Sequence, residues 1–373
     1  MKKTCFIKTL LLASIFAFAF IACSDDDEND GRADGKPELD KTGAFVLNEG
    51  RIGFDNATLS YYSIAKNELT SEILEKQNDK TKLGDLAQDI LIYDSKVFIT
   101  VNVSNMIFVT DLDGVILKEI STKDTEYKDP RHIASHGGYI YIDFYSGHLV
   151  KLDPATYEVV GVLEIPAYSE QMTVAGSELF ITNSLWTGIT EGKTITVVNL
   201  TNFEIERAPI TVHDNPSRIT SDKQGNIYIL SDGVWDPETY TSISALSVIE
   251  AGKYQAEVIR ENIASKMAIQ GDRLLLFNTV YGERQTTIFS QYDLTTGEYS
   301  EESFLTTPSD AQAAGLLDLA YYLSVDPKNN DIYVSTTDYA TTGSVLVFDK
   351  DGKYKTKFSS GGINPQKVAF MAK

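Results

Sequence analysis

Short runs of alternating apolar and polar residues fill the chain from Gly43 to its end, with turn residues between them at close intervals. The runs are rich in Val, Ile, Tyr, Phe and Thr, the residue types that fit a pleated, half-buried strand. Apolar residues at the spacing of an amphipathic helix are scarce. The pattern therefore predicts an all-β protein built from many short strands.

One apolar triplet recurs along this region and marks an internal repeat. Its copies are Val97–Ile99, Ile140–Ile142, Leu179–Ile181, Ile227–Ile229, Leu274–Leu276 and Ile332–Val334, with centres 43, 39, 48, 47 and 58 residues apart. A short strand precedes each copy, a third strand follows it, and a fourth strand such as Val159–Leu163 closes the unit. Four antiparallel strands in about 40–50 residues are typical of a β-propeller blade.

The two ends of the chain supply one further blade. Gln366–Phe370 reads as a lone first strand, and Phe45, Ser60–Tyr62 and Leu69–Leu74 read as the rest. We therefore predict a seven-bladed β-propeller whose last blade is closed by N- and C-terminal strands, which removes exposed sheet edges. The length of the stretch 286–319 leaves the blade count open there. A two-domain β-sandwich is the alternative, but it does not explain why the C-terminus is one strand short.

The first 22 residues have the layout of a signal peptide. Lys2, Lys3 and Lys8 are followed by the apolar run Leu10–Ile21, which is too short for a membrane span. A membrane-anchoring helix is the alternative. The ending Phe20–Cys23 resembles a bacterial lipobox, in which Cys23 is lipidated.

The acidic run Ser24–Asp30 resembles the export signal of lipoproteins on the cell surface of Bacteroidota. We expect residues 23–42 to hold the lipidated cysteine, this signal and a flexible tether, and residues 43–373 to form the propeller. The expected location is the outer membrane, with a lipid anchor and the domain facing the cell exterior. Because Cys5 leaves with the signal peptide and Cys23 carries lipid, no disulfide is expected.

The charge of the chain restricts its partners. It has 33 Lys+Arg and 53 Asp+Glu, a net charge of -20, and removal of residues 1–22 takes away three Lys and no acid, so that 30 minus 53 gives -23. Binding to nucleic acid or to anionic lipid through a basic face needs clustered Lys and Arg. We therefore expect no nucleic-acid partner and membrane contact through the lipid anchor only.

The sequence offers no convincing enzyme motif. His132 and His136 are four residues apart, a spacing that would place them on one face of a helix, but they lie on a strand and its turn, so no zinc pair is expected. There is no Gly-x-Ser-x-Gly elbow, P-loop or dinucleotide fingerprint. We expect a protein that is not an enzyme and needs no metal or cofactor.

The loops that follow the triplets carry the most informative residues. In a propeller these loops meet at one end of the central channel, beside the starts of the innermost strands, and five of the seven carry an aromatic side chain. Converging aromatic side chains indicate a ligand platform, although each could instead pack under its own loop. Polar residues at the starts of the innermost strands supply hydrogen-bond donors for a ligand. The alternative is that these residues bond one another around the channel. The predicted ligand-binding residues are Tyr145, Trp186, Trp235, Tyr281 and Tyr339 for apolar contact, and Arg51, Arg131, Arg218 and Lys266 as donors.

Three motifs resemble those of a known group. The opening Phe45–Gly50 and the strand starts Pro130–Ala134 and Pro216–Ile219 resemble YncE-like seven-bladed propeller lipoproteins of Bacteroidota, over residues 43–373. The overall design resembles the BtuG-type members, which capture cobalamin and pass it to an outer-membrane transporter. The resemblance implies capture of a corrinoid (vitamin B12-type) ligand and delivery to a TonB-dependent transporter.

Two other functions stay open at this point. The first is a protein- or glycan-interaction propeller in a surface uptake or adhesion complex. The second is a propeller lyase or lactonase, which would need a metal or an acid–base cluster at the channel.

Overall fold

The computed structural model describes residues 36–184, 192–236, 238, 242–280 and 285–371. These residues form seven antiparallel sheets of four strands each. The strands are β1 Ala44–Asn48, β2 Thr58–Ser63, β3 Glu68–Thr70, β4 Ala87–Tyr93, β5 Lys96–Val101, β6 Met106–Asp111, β7 Ile116–Ser121, β8 Pro130–His136, β9 Tyr139–Phe144, β10 His148–Leu152, β11 Val159–Glu164, β12 Ser169–Ala175, β13 Glu178–Asn183, β14 Thr194–Asn199, β15 Ile210–Thr211, β16 Pro216–Ser221, β17 Ile227–Ser231, β18 Ala245–Ile249, β19 Ala256–Glu261, β20 Lys266–Gln270, β21 Arg273–Val280, β22 Thr286–Asp293, β23 Tyr299–Ser300, β24 Ala320–Val325, β25 Ile332–Thr336, β26 Ser344–Phe348, β27 Tyr354–Ser359 and β28 Pro365–Phe370.

The seven sheets are the blades of a propeller, as the repeat predicts. The innermost strand of each blade, here called an inner strand, lies beside the inner strands of both neighbouring blades around a closed ring. The inner strands are β4, β8, β12, β16, β20, β24 and β28. Every recurring triplet lies in the second strand of its blade, where it is almost fully buried. The seven-bladed fold is therefore confirmed.

The last blade joins both ends of the chain. β28 pairs with β1 in antiparallel register, so that Val46 faces Val368 and Phe45 faces Ala369. The predicted closure is confirmed, but the prediction of a strand over Leu69–Leu74 is wrong for its second half. β3 ends at Thr70, Glu72 adopts a positive φ of 52°, and the short helix α1 Ile73–Gln77 follows. Ile73 and Leu74 are buried in the core, so their apolar character reflects burial on a helix.

The long stretch 286–319 contains an insertion and no extra blade. After β22 and the very short β23, the chain forms α2 Ala311–Leu316 and a 3-10 turn Leu317–Leu319. The Asp310 carboxylate caps α2 by accepting a hydrogen bond from the Gln312 amide at 2.9 Å. Ala313 is fully buried against the neighbouring blade. The extra residues therefore cover the side of a blade, and the count stays at seven.

Residues 37–42, which we expected in the tether, pack against the last blade. Leu39 is buried in the core, and the Asp40 carboxylate accepts hydrogen bonds from the hydroxyls of Tyr61, at 2.9 Å, and Ser63. The packed domain therefore begins before Gly43. Residues 1–35, with the predicted signal peptide and Cys23, lie outside the described residues. Within the described part of the chain, none of the helices has the length and apolar character needed to cross a bilayer.

Candidate functional site

The starts of the inner strands and the loops after the second strands meet at one end of the channel, here called the mouth. The Arg131 guanidinium, at the start of β8, lies 4.2 Å from the ring centroid of Tyr145, in the loop after β9. Tyr321, at the start of β24, meets Tyr339 of the loop after β25 edge to face, with ring centroids 5.7 Å apart. Residues far apart in sequence are thus assembled on one surface.

Hydrogen bonds link polar side chains around much of the mouth. Glu49 accepts bonds from the Tyr321 hydroxyl and from the Gln88 amide, the latter at 2.9 Å. The Arg131 guanidinium donates to the side-chain oxygens of Gln88 and Glu170. The Tyr145 hydroxyl donates to Glu170 at 2.5 Å. We call this series of six residues the mouth chain.

Strand bulges aim the mouth chain at the channel. Gln88, Arg131, Glu170 and Tyr321 all fall at register shifts in the pairing of their inner strands. A bulge leaves a residue unpaired and turns its side chain out of the regular alternation. Arg131 is one of the predicted ligand-binding residues, whereas Gln88, Glu170 and Tyr321, at the matching strand starts, are not among them.

The mouth chain is interrupted at two neighbouring blades. In the matching position these blades carry Ser217 and Ser265, whose short side chains cannot span the distance to the next blade. A pocket of about 560 Å³ opens there, which we call the side pocket. Its lining includes Asp232, Trp235, Ser265, Lys266, Asn278, Tyr321 and Tyr339. Trp235 is 59% exposed and Tyr339 is 44% exposed, so both aromatic rings are accessible to a ligand.

Comparison with known proteins identifies the family of this fold. Residues 42–360 match the family described as Domain of unknown function (DUF5074). The chain belongs to the DUF5074 family. The comparison with curated proteins gives no match.

Solved structures similar to the DUF5074 propeller share its fold at low sequence identity. Kuenenia stuttgartiensis hydrazine synthase has 14% identity and a TM-score of 0.53, over 69% of this chain and 74% of that one. Dihydro-heme d1 dehydrogenase NirN in complex with DHE has 11% identity and a TM-score of 0.55, over 90% and 77%. The Neurospora crassa Pan2 WD40 domain has 11% identity and a TM-score of 0.54, over 89% and 92%. Enzymes and a WD40 domain are both among them, so this similarity shows the fold alone.

The side pocket of the DUF5074 propeller contains an unusual amine. Burial lowers the pKa of Lys266 to about 7, and the nearby positive charge of Arg218 acts in the same direction. The negative charges of Asp232, Glu170 and Glu49 oppose this effect without reversing it. Within the described part of the chain, Lys266 makes no side-chain hydrogen bond or ion pair. At neutral pH a large share of this amine is therefore uncharged.

Arg218, on the inner strand next to that of Lys266, is also incompletely paired. One of its Nη atoms donates to the Ser217 carbonyl at 2.6 Å. Its Nε is buried and, among the described residues, has no hydrogen-bond partner. Such a buried, unsatisfied donor costs roughly 1–3 kcal/mol, and the Nε of Arg131 is in the same situation.

Lys367 shows the opposite arrangement at the corresponding place on β28. Its Nζ lies 2.6 Å from the Asp89 carboxylate, which is 6% exposed. Although burial disfavours its charge, the Asp89 carboxylate raises the pKa of Lys367. The two channel lysines therefore differ in charge state because only one has a carboxylate partner.

A buried carboxyl, Asp143, lies on β9, the second strand of the blade that carries Arg131. Asp143 Oδ1 accepts a hydrogen bond from the His132 backbone amide at 2.6 Å, while Oδ2 has no partner among the described residues. Burial raises the pKa of Asp143 to about 7, despite the opposing charge of Arg131. Burial also holds the pKa of the His132 imidazole well below its usual value, with the positive charge of Arg131 contributing. Burial therefore favours the uncharged forms of both side chains.

The structure separates the predicted ligand-binding residues into groups. Trp235, Lys266 and Tyr339 line the side pocket, and Arg218 lies next to it. Arg131 and Tyr145 belong to the mouth chain. Arg51 is exposed and stacks on the Phe54 ring, 4.3 Å from its centroid. Trp186 and Tyr281 lie outside the described residues.

The described residues include no group of three or more His, Cys, Asp or Glu side chains that could hold a metal ion. His132 and His136 both lie on β8. His132 is buried in the channel wall, with its Nδ1 unpartnered among the described residues. What the mouth offers is aromatic surface and hydrogen-bond donors.

Proposed function

We propose that this DUF5074 protein is a non-enzymatic outer-membrane surface lipoprotein that captures a corrinoid (vitamin B12-type) ligand at the mouth and delivers it to a TonB-dependent transporter. The observation that carries the proposal is the side pocket, where two exposed aromatic rings adjoin the Lys266 amine and the positive charge of Arg218 acts on that amine. A corrinoid combines a flat apolar macrocycle with amide arms and a phosphate, and so matches both features.

The size of the pocket defines how such a ligand would bind. A volume of about 560 Å³ lies within the range of roughly 300–1,000 Å³ that holds drug-sized ligands. A corrinoid is larger than these ligands, so only part of it would enter. The macrocycle would lie across Trp235 and Tyr339, and an arm would reach Arg218 and Lys266.

Attachment through Cys23 completes the proposal. A diacyl or triacyl anchor holds a protein at a bilayer, whereas a single chain is marginal. The acidic run after Cys23 and the exposed mouth fit a receptor that faces the exterior. Replacing Cys23 by Ala should move the protein from the membrane fraction to the soluble fraction. Retention of the variant in the membrane would exclude lipidation at this residue as the mode of attachment.

Isothermal titration with cyanocobalamin tests the ligand directly. The expected result is a tight 1:1 complex, and Trp235→Ala should weaken it by about 2 kcal/mol, or roughly thirtyfold, because a central aromatic anchor loses its stacking surface. The matched control is Tyr254→Ala. Tyr254 is also exposed, at 42%, but it lies in the loop between β18 and β19 at the opposite end of the blade.

Two outcomes would contradict the proposal. No heat with cyanocobalamin at micromolar protein would exclude capture of this corrinoid. Tight binding that Trp235→Ala leaves unchanged would place the ligand elsewhere on the propeller. Equal loss in Trp235→Ala and Tyr254→Ala would indicate a general effect on the fold.

The exposed apolar residues of the mouth favour a second candidate, a protein-interaction propeller. Ile52, Phe54, Val234 and Ile243 are each more than half exposed and lie in loops on this face. Exposed apolar side chains on one face are typical of a docking surface. Co-purification with a transporter in the absence of any small molecule, together with no cyanocobalamin binding, would favour this candidate.

A further inference from the structure

We infer that Lys266 is a nucleophilic amine that forms an imine with a planar aldehyde or ketone entering the side pocket, preferably one that carries an anionic group. This inference is independent of corrinoid capture. It concerns a covalent site for small carbonyl compounds at the same mouth. The argument uses the position of Lys266, its lack of partners and the groups around it.

Position makes the amine accessible to a small molecule. Lys266 begins β20 and lines the side pocket together with Trp235 and Tyr339. The pocket is open to solvent at the mouth, where Trp235 and Tyr339 are exposed. A planar carbonyl compound could therefore stack on an aromatic wall and place its carbonyl carbon near the amine.

The absence of a partner leaves the lone pair of the amine available. An amine must be uncharged to attack a carbonyl, and a lysine in contact with a carboxylate is held in its charged form. Lys367 is such a lysine, because Asp89 lies 2.6 Å from its Nζ. Lys266 makes no such contact within the described residues, and Arg218 on the next inner strand further disfavours a second positive charge.

The neighbouring groups define the class of ligand. The positive charge of Arg218, which acts on the Lys266 amine, would attract a phosphate or carboxylate on the ligand. The charged and titratable groups around the amine are Arg218 from β16, Asp232 from the loop after β17, Tyr321 and Tyr339 from the next blade, and Glu170 and Glu49.

The reaction balances without any further reagent. The nitrogen lone pair forms a bond to the carbonyl carbon and gives a carbinolamine. Loss of the former carbonyl oxygen as water, with the two hydrogens of the amine, then forms the carbon–nitrogen double bond. No oxidation or reduction is involved, and hydrolysis returns the free amine.

Reductive trapping with pyridoxal 5′-phosphate tests the inference. The full-length protein is incubated with the probe at pH 7, reduced with borohydride, digested and analysed by peptide mass spectrometry. With a pKa of about 7 roughly half of the Lys266 amine is free at pH 7, against about one part in three thousand for an ordinary lysine. We expect Lys266 to carry at least roughly tenfold more adduct than any other lysine.

Variants and a second probe separate the possible explanations. Lys266→Met and Lys266→Arg should lose the dominant adduct, whereas Lys367→Met should keep it. Pyridoxal, which lacks the phosphate, should label Lys266 more weakly if Arg218 binds the anionic group. Circular dichroism checks that each variant is folded.

Adduct spread evenly over surface lysines, or labelling that Lys266→Met leaves unchanged, would overturn the inference. Because no corrinoid takes part in the trapping, its failure leaves the titration with cyanocobalamin unaffected. Conversely, specific trapping in a protein that does not bind cyanocobalamin would support the inference and contradict the corrinoid proposal.

Discussion

The Asp143 carboxyl is predicted to reduce the stability of the propeller at neutral and alkaline pH. It is fully buried, and one of its oxygens has no partner among the described residues. Its pKa rises from 3.8 in an exposed chain to about 7 in the fold, because burial disfavours the charged form. Asp143→Asn removes the charge, keeps the shape, and keeps an oxygen that can accept the 2.6 Å bond from the His132 amide.

The sign and the size of the effect follow from the two pKa values. Between pH 3.8 and 7 the folded protein binds a proton at Asp143 that the unfolded chain has lost, so the free energy of unfolding falls as pH rises. The contribution is fully present below pH 3.8 and is lost by about pH 7. At about 1.4 kcal/mol per pKa unit, the shift of roughly three units amounts to about 4 kcal/mol at pH 8. Of this, about 3 kcal/mol is lost between pH 5 and pH 8.

Urea unfolding of the wild type and Asp143→Asn at pH 5 and pH 8 measures this contribution. The variant should gain stability relative to the wild type on going from pH 5 to pH 8, by about 3 kcal/mol. Asp351→Asn is the control, because Asp351 lies in an exposed turn and should show no such change. A difference between Asp143→Asn and wild type that is the same at both pH values would refute the reasoning, since the carboxyl would then be ionised or neutral throughout.

Two further predictions concern the mouth. Lys266→Met should stabilise the fold by about 2 kcal/mol at pH 7, a value that is reduced to allow for solvent in the partly open channel. This gain should shrink as pH rises from 7 towards 10.5, because in that window the unfolded chain binds the proton that folded Lys266 has lost. A gain in the free energy of unfolding that is constant with pH in chemical denaturation would contradict this. Arg131→Met should destabilise the fold by about 3 kcal/mol, because it leaves the Glu170 carboxylate, 13% exposed, without its charged partner. Arg51→Met, at an exposed site, should change the unfolding free energy by less than about 0.5 kcal/mol, and equal losses in the two variants would exclude a special role for Arg131.

The fold could be predicted from the sequence because its signals are local and repeated. Each blade contains a triplet whose apolar residues must be buried between neighbouring blades, and one strand missing at the C-terminus has only the N-terminal blade to complete it. The prediction of secondary structure failed where a buried apolar segment is equally compatible with a strand and with a helix. Ile73 and Leu74 are as apolar as a strand, but Glu72 with its positive φ ends the strand and a helix follows.

The candidate site was predictable as a face of the molecule but not as a pocket. The convergence of loops and strand starts follows from the topology, and it places Arg131 by Tyr145 and Lys266 by Trp235. Which donors are already bonded depends on side-chain reach across blades. The sequence does not show that Glu49, distant from Tyr321 in the chain, accepts a hydrogen bond from the Tyr321 hydroxyl.

One side of the mouth is closed by the mouth chain and the other side is interrupted, and this difference decides where a ligand can bind without breaking existing hydrogen bonds. A ligand acceptor that approached Arg131 would compete with the oxygens of Gln88 and Glu170 that the guanidinium already contacts. Such an exchange replaces one set of hydrogen bonds by another and gains little. Arg218 donates, among the described residues, to the carbonyl of its neighbour Ser217 and to no side-chain oxygen of another blade, so a ligand acceptor there has less to displace. Ser265, which lines the side pocket, is too short to extend the mouth chain and leaves this space open, so affinity should depend on the blades around the side pocket more than on the closed side of the ring.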